Sequence, residues 1–504
     1  MSNLRKDIEA RIRTLKEIEE SGINPYPHIF KPTHEVIEIV SDPEKCMGKN
    51  VKVAGRIMTV RKHGRLIFCD LVDNGSKIQI MARPNEIGEE EFKRFDRWVE
   101  KGDFVGVEGE VIRTKRGELT VLVESYQILA KSLISLPDQW FGLKDVDERY
   151  RKRYLDIILN KNVRETFEKR FRLIEEVRKF FRSKGFVEVD TPVLQPLYGG
   201  AYAKPFITHV NYLDEDWYLR ISDELYLKRM IIAGFNKVFE MGRDFRNESV
   251  DVRHNPEFTM IEAYQAYADY NDMMKIVEEL FEHLTKVFGI EKVKRTIDGK
   301  EYEINLKPPF RKITVFDAIR EYVGIDPEKA SDEEIKKILK ENEIEVKPYN
   351  RGLALTEIFD ELASPKFIQP TFAIDYPVES TPLAKPHRSK PGLVERFELF
   401  IAGIEFANAY TELNDPIIQN KLFKQQAQMR TLGFDEAHQY DEDFVEAMMY
   451  GMPPTGGLGI GIDRLVMLFT ENYSIKEVIL WPMMKKEKQR REAVVVLDEL
   501  TNKD

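Results

Sequence analysis

Cysteine is almost missing. The 504 residues hold only Cys46 and Cys69, in unlike surroundings, so neither a disulfide framework nor a thiolate zinc site can be assembled from them. No apolar run approaches the ~20 residues that a membrane-spanning helix requires. The opening MSNLRKDIEARIRTLKEIEESG alternates charges at helical spacing and lacks the apolar centre of a secretory signal. A reducing cytoplasm and no membrane partner are therefore expected. Excess positive charge is lacking as well: 77 Lys and Arg stand against 87 Asp and Glu, a formal net charge of −10. That excludes coating of nucleic acid by bulk attraction, which draws on cations neutralising phosphates, and leaves only local basic patches. Neither the GxxxxGK of a P-loop nor the GxGxxG of a Rossmann turn occurs, so both common nucleotide-binding turns are excluded. There is no internal repeat and no low-complexity tract.

What is present is a globular composition, 42% hydrophobic and 33% charged with both signs mixed, in a chain long enough for two or more cored domains. Such charge mixing suits surface ion-pair networks in a heat-adapted protein. Residues 1–48 read as a helix and an extended connector, GINPYPHIFKP, with three prolines. Residues 49–136 give five short β-rich runs with turn signals such as Asp73-Asn74-Gly75 and a helical pattern from Glu86 to Glu100 between the third and fourth. That order predicts a small Greek-key barrel of the oligonucleotide-binding (OB) type, with an unspecialised barrel as the bland alternative. Residues 137–153 read as a linker. Residues 154–504 mix helix and strand irregularly, which predicts an α+β domain rather than βαβ units. A Lys- and Glu-rich helical insertion is expected near 287–350, and a terminal helix around AVVVLDEL.

Three segments carry chemistry. FEMGRDFRNESVDVRHNPEF reads as two apolar strands joined by a polar turn, projecting Arg243, Arg246, Glu248, Arg253 and His254 from a rigid base. Fixed guanidinium groups in such a place complement phosphate charge through paired hydrogen bonds. GMPPTGGLGIGIDRLVMLF combines closely spaced glycines, which admit a flat ligand near the backbone, with Arg464 at a helix start. FELFIAGIEFANAYTELND contains Glu398, Glu405, Asn408 and Glu412 and neither Lys nor Arg. Its apolar interleaving predicts a largely buried strand, and buried carboxylates need cations as partners.

GFVEVDTPVL (Gly185 to Leu194), FRNES with RHNPEF, and GLGIGIDR resemble, in order, the three signatures of class II aminoacyl-tRNA synthetases. The barrel resembles the anticodon-binding domain of the subclass that contains the lysine, aspartate and asparagine enzymes, so the similarity covers nearly the whole chain. YGGAYAKPFITH, RISDELYLKR and IQPTFAIDYPVESTPLAK resemble the lysine branch. The resemblance implies an N-terminal OB-fold barrel, then a catalytic domain on an antiparallel sheet with flanking helices, and a homodimer formed around Pro192. It implies ATP, L-lysine and tRNA(Lys) as ligands and Mg²⁺ as cofactor. Arg246 would contact the α-phosphate and the substrate carboxylate, His254 and Arg464 the outer phosphates, Glu248 the nucleotide, and Phe258 the adenine face opposite Arg464. Arg246 and Arg464 would be the catalytic pair. Glu412 and Tyr264 would hold the side-chain ammonium, Gly200 and Glu224 the α-amino group, Asn408 would assist at the carboxylate, and Glu398 and Glu405 would hold Mg²⁺. In the barrel, Phe68, Gln79 and Glu118 match base-reading positions, with Arg61, Lys62, His63 and Arg65 as a basic strip nearby. Ser222-Asp223 departs from the Ala-Pro or Ala-Thr frequent in that family. An aspartyl or asparaginyl enzyme of the same subclass, which would carry cationic side-chain selectors, is the nearest alternative. A lysine-derivative transferase without a barrel, or a non-catalytic RNA-binding relative lacking Arg246, Glu398 or Arg464, is more remote.

Overall fold

The computed structural model describes residues 3–137, 143, 145–431, 438–487 and 491–501. The chain forms two compact units, residues 1–164 with 484–504, and residues 165–483.

The first unit begins with helix α1 (Asn3–Glu20) and is built on strands β1 (Asn50–His63), β2 (Leu66–Asp73) and β3 (Ser76–Ala82), helix α2 (Glu89–Trp98), and strands β4 (Phe104–Arg113) and β5 (Leu119–Ala130). These strands close into a barrel in the order β1-β2-β3-β5-β4. Period-two alternation drives it: Val51, Val53, Ile67, Cys69, Leu71, Ile78, Ile80, Val105, Val107, Val121 and Val123 point inward and are buried together. Asn74 and Gly75 both adopt positive φ (42° and 83°), which suits the right-handed twist of the hairpin they join. The expected helix from Glu86 to Glu100 is split at Gly88 into a short turn and α2. The tail differs from the expected 154–504 domain: its helix Glu492–Thr501 belongs to this first unit, where Glu499 pairs with Arg5 at 2.5 Å.

The second unit follows from helix α3 (Lys161–Ser183) through strand β6 (Val187–Glu188), helix α4 (Glu224–Ile232), strands β7 (Lys237–Phe245) and β8 (Glu257–Ala266), helix α5 (Tyr270–Phe288), strands β9 (Arg311–Thr314), β10 (Thr371–Pro377), β11 (Leu393–Ile401), β12 (Ile404–Thr411) and β13 (Thr455–Gly461), and helix α6 (Ile462–Phe469). The eight strands form one sheet in the order β9-β10-β11-β12-β13-β8-β7-β6. Its six central strands are antiparallel, and β9 and β6 pair parallel at the two edges. One face is apolar: Phe239, Ile261, Ala263, Leu458, Ile460, Ala407, Ala409, Phe397 and Leu399 pack under Met273, Val277, Leu280 and Phe281 of α5 and Leu465 and Val466 of α6. Helix α5 is defined at both ends, by the reciprocal Asp269–Asp272 capping box and by left-handed Gly289.

Segment 287–350 is helical only in its second part, where DPEKASDEEIKKILKENEIEV holds the expected helix Asp332–Glu341. It holds a hairpin, Lys292–Ile297 with Lys300–Asn305, then β9 at the edge of the main sheet, and only then helices Val315–Tyr322 and Asp332–Glu341. The Lys and Glu of the first part are spent across strands, Lys292 to Glu303 at 2.6 Å and Lys294 to Glu301 at 2.9 Å. Opposite charges facing across a ladder give the same composition as a charged helix face.

Candidate active site

On the opposite face of the sheet, strand alternation turns up a different set of side chains. Glu262 and Tyr264 of β8, Arg396 and Glu398 of β11, Asn408 and Tyr410 of β12 with Glu412 just beyond it, and Gly457, Gly459 and Gly461 of β13 line one cavity of about 370 Å³. The glycines give it depth: a Cβ on Gly457 would collide with Glu412 Oε1 and Tyr264 Cε1. A β-bulge between β11 and β12 shifts the register so that Asn408 faces Glu398 while Glu405 faces Phe400. The extra residue brings Glu405 to the same face as Asn408. All twelve expected catalytic-domain residues line this cavity: Gly200, Glu224, Arg246, Glu248, His254, Phe258, Tyr264, Glu398, Glu405, Asn408, Glu412 and Arg464.

Toward its open end the cavity is cationic. Arg246 follows β7, its N–H donating to Pro256 O at 2.8 Å, and its guanidinium lies 5.1 Å from the Phe258 ring centroid. Its Nε is buried with no hydrogen-bond partner among the described residues, an orphan donor that suits an anionic ligand. Asp251 shapes the turn by accepting the N–H groups of Arg253 and His254 at 2.6 and 2.8 Å, and its other oxygen meets His254 Nδ1 at 2.8 Å. Arg464 Nη1 donates to Glu405 O and Oε2 at 2.6 and 3.1 Å, and its Nη2 lies 3.4 Å from His254 Nε2. Asp463 beside it accepts Thr259 N–H at 2.7 Å and pairs with Arg170, fixing the start of α6 against β8. Glu398 is engaged on both oxygens, by Arg396 and by the Tyr376 hydroxyl at 3.0 Å. Glu398 and Glu405 are thus two cavity carboxylates, each resting on an arginine.

The blind end is acidic. Lys228, wholly buried, reaches Glu224 Oε1 and Glu412 Oε2, both at 2.5 Å. Glu412 is 0% exposed, and its Oε1 has no hydrogen-bond donor among the described residues. Burial, reinforced by Glu224 and opposed by Lys228, pushes its carboxyl up to about 8. Burial likewise raises Glu262 to about 8, with Asp244 and Glu224 adding to the shift. Burial and Lys228 drive His438 down to about 3, so its ring is neutral, and its Nδ1 accepts the Gly200 N–H at 3.4 Å.

In the barrel unit, Phe68 and Gln79 lie on the outer face of neighbouring strands, in a register that pairs Asp70 with Gln79. Gln79 Oε1 accepts the Thr120 hydroxyl at 3.0 Å, and Glu118 stands exposed at the turn two residues before Thr120. The basic strip is not a free patch. Arg61 forks onto Asp70 at 2.9 and 3.0 Å, Lys62 meets Asp96 at 2.5 Å, and Arg65 pairs with Glu89.

Sequence reasoning missed Glu262, Arg396, Tyr410 and Lys228, and met Ser222 only within the Ser222-Asp223 departure. A signal for most of them was there: stepping by two from Tyr264, Glu398 and Asn408 reaches Glu262, Arg396 and Tyr410, and Lys228 stands one helical turn from Glu224.

Residues 145–485 match the family described as tRNA synthetases class II (D, K and N), and residues 51–129 match the OB-fold nucleic acid binding domain. A lysine–tRNA ligase of Sulfolobus acidocaldarius is 52% identical over 484 residues, 94% of this chain and 96% of that protein. One from Clostridium perfringens is 51% identical over 488 residues, 95% of this chain and 96% of that protein. Lysine–tRNA ligase 2 of Methanosarcina mazei is 48% identical, covering 95% and 94%. With its antiparallel sheet, arginine-lined cavity and OB barrel, the chain belongs to the class II aminoacyl-tRNA synthetases of the aspartate, lysine and asparagine group.

Proposed function

We propose that this protein is a lysine–tRNA ligase, activating L-lysine with ATP and transferring it to the 3′ end of tRNA(Lys). One observation carries the choice of amino acid. Three carboxyl groups, Glu224, Glu262 and Glu412, line the acidic end beside one lysine, Lys228, leaving two carboxyl groups that can each give up a proton to pair with an incoming ammonium. Lysine brings two ammonium groups. Aspartate and asparagine bring one, and an aspartate side chain would be buried beside Glu412 with Lys228 already engaged by two glutamates, a cost that excludes it. The pocket carboxyls raised by burial exchange their protons for these ammonium groups.

In the first step the lysine carboxylate attacks the α-phosphorus of ATP, pyrophosphate leaves, and lysyl-adenylate forms. In the second, a terminal ribose hydroxyl of the tRNA attacks the activated carbonyl and AMP leaves. No protein nucleophile is required, because positioning and charge stabilisation supply the rate. Glu412 and Tyr264 hold the side-chain ammonium, Glu224, Glu262 and Gly200 the α-ammonium end, and Asn408 and Arg246 the carboxylate. Arg246, with its orphan Nε, also meets the α-phosphate, Phe258 supports adenine, Glu248 contacts the nucleotide, and His254 and Arg464 take the outer phosphates. Glu398 and Glu405 fit Mg²⁺, which prefers oxygen donors and takes few protein carboxylates beside phosphates. When bound it would neutralise charge on the leaving pyrophosphate.

In the barrel, Phe68 stacks on an anticodon base while Gln79 and Glu118 read base edges. The apolar residues Val193, Leu194 and Ile207, exposed beside Pro192 or in its small sheet, support a homodimer. No described helix is long and apolar enough to cross a membrane, and both cysteines are free thiols, which supports a cytoplasmic place. The deciding assay is exchange of labelled pyrophosphate into ATP by the purified chain. Exchange dependent on lysine is expected; exchange with aspartate, or with no amino acid tested, overturns the reading.

A further inference from the structure

Just before α4, Ser222 and Asp223 lie almost wholly buried, at 5% and 1% exposure. The Ser222 hydroxyl donates to Glu262 Oε1 at 2.7 Å, and the Asp223 N–H donates to the same oxygen at 3.1 Å. Ser222 Oγ in turn accepts the Glu224 N–H at 3.2 Å, so one hydroxyl ties together two of the pocket's carboxylate residues. A Cβ on Gly200 would stand 2.5 Å from the same Oγ, which puts the clamp against the glycine loop. Among the described residues, Glu262 Oε2 accepts one hydrogen bond, from the Tyr264 hydroxyl at 3.2 Å. The carboxylate is therefore held rigidly by one oxygen and left nearly bare on the other.

The clamp is itself anchored. Asp223 Oδ1 lies 2.8 Å from Arg220 Nη1, and Arg220 reaches Glu240 Oε1 at 2.5 Å, Asp244 Oδ1 at 3.3 Å and the Arg243 carbonyl at 2.9 Å. Gly242 makes this possible, since a Cβ there would overlap the Arg220 guanidinium. Ser222 is thus moored through Arg220 to β7, the strand that carries Arg246 at its end.

We propose that Ser222 is a positioning residue for the α-ammonium end of the amino acid: with the Asp223 N–H it locks Glu262 in the rotamer that receives that ammonium, at a fixed offset from Arg246. The inference rests on the lysine reading above. A donor removed from a buried charged acceptor weakens the groups that the acceptor serves, and a carboxylate free to rotate gives up its preorganised geometry.

Ser222→Ala removes the hydroxyl and little volume. In lysine-dependent pyrophosphate exchange it should raise the KM for lysine about tenfold, a loss of one charge-assisted hydrogen bond, with the KM for ATP unchanged within twofold. 6-Aminohexanoate has the distal ammonium and the carboxylate but no α-ammonium. Its inhibition constant should be the same for both proteins. Ser222→Thr, which restores the hydroxyl, should bring the lysine KM back to within threefold. An unchanged lysine KM overturns the proposal, and so does equal weakening of lysine and 6-aminohexanoate, the mark of a merely structural role. Absence of lysine-dependent exchange by the unaltered chain instead overturns the lysine reading and this inference with it.

Discussion

Glu412→Gln tests the acidic end of the cavity most directly. The side chain keeps its shape and loses its charge. Lys228 retains Glu224 at 2.5 Å, so the buried ammonium is not orphaned. In the ligand-free protein a carboxyl raised to about 8 holds its proton at neutral pH much of the time, and an amide mimics that state. The fold should therefore survive with a Tm close to the parent's. Lysine binding is another matter, because the substrate ammonium needs the anion in a site with no solvent to replace it. Removing one member of a buried charge pair at a binding interface costs about 2–5 kcal/mol, or roughly 30-fold to several thousand-fold in affinity. The remaining amide oxygen and Tyr264 place the expectation near the lower half, about 100-fold in the KM for lysine. Arg246, His254 and Arg464 are untouched, so ATP affinity measured by calorimetry should stay within twofold. A lysine KM within threefold of the parent's, or an equal loss of ATP binding, would refute the assignment of Glu412 to the ammonium.

Three further outcomes follow from other parts of the molecule. Burial, with Asp244, Glu262 and Glu240 adding to it, raises Asp223 to about 10, far above its value of ~3.9 in the unfolded chain. The native state then binds more protons than the unfolded one between those values, and stability falls as pH rises. Asp223→Asn should unfold with a shallower loss of Tm between pH 6 and 9 than the parent, and an unchanged slope would count against a protonated Asp223. Cys69 is buried in the barrel core and its thiol is pushed up to about 12 by burial, so iodoacetamide should leave it unlabelled in the native protein at pH 8 and label it fully in denaturant; native labelling would show that the barrel opens. Phe68→Ala removes one stacking platform, worth about 1–3 kcal/mol per base, and should raise the KM for tRNA in aminoacylation about tenfold while leaving pyrophosphate exchange alone. Loss of exchange as well would argue against a tRNA-only role.

The barrel was legible because each of its strands has one wet face, and the alternation in VKVAGRI or SKIQIMA names the inward residues directly. The three signatures were legible because they are local: the cations of one turn and the glycines of one strand carry their chemistry within a few residues. The first part of segment 287–350 was misread because Lys and Glu pairs across a hairpin and along a helix leave the same composition, and periods of two and 3.6 separate poorly over six residues. The placement of the C-terminal helix was hidden for a different reason. Its apolar patch announces burial but not the partner, and the partner is the first helix of the chain, nearly five hundred residues away.

The acidic cluster under the cavity was not legible as a cluster, for a reason intrinsic to sheets. Arg220, Asp223, Glu240, Asp244 and Glu262 come from two strands and the approach to a helix, and each alone reads as an ordinary charged residue that solvent would cover. What brings them together is the register of β7 against β8, which pairs Glu240 with Glu262 and Met241 with Ile261. That register is enforced from the other side, where Phe239, Ile261 and Ala263 must face α5. A slip of one residue would turn the apolar side chains into the cavity and the acids into the core. The binding face therefore inherits its precision from the apolar face behind it. Alternation in TMIEAYQA assigns Ile261 and Ala263 to one side and Glu262 and Tyr264 to the other, so the residues that recognise the substrate are fixed in place by the very pattern that builds the core.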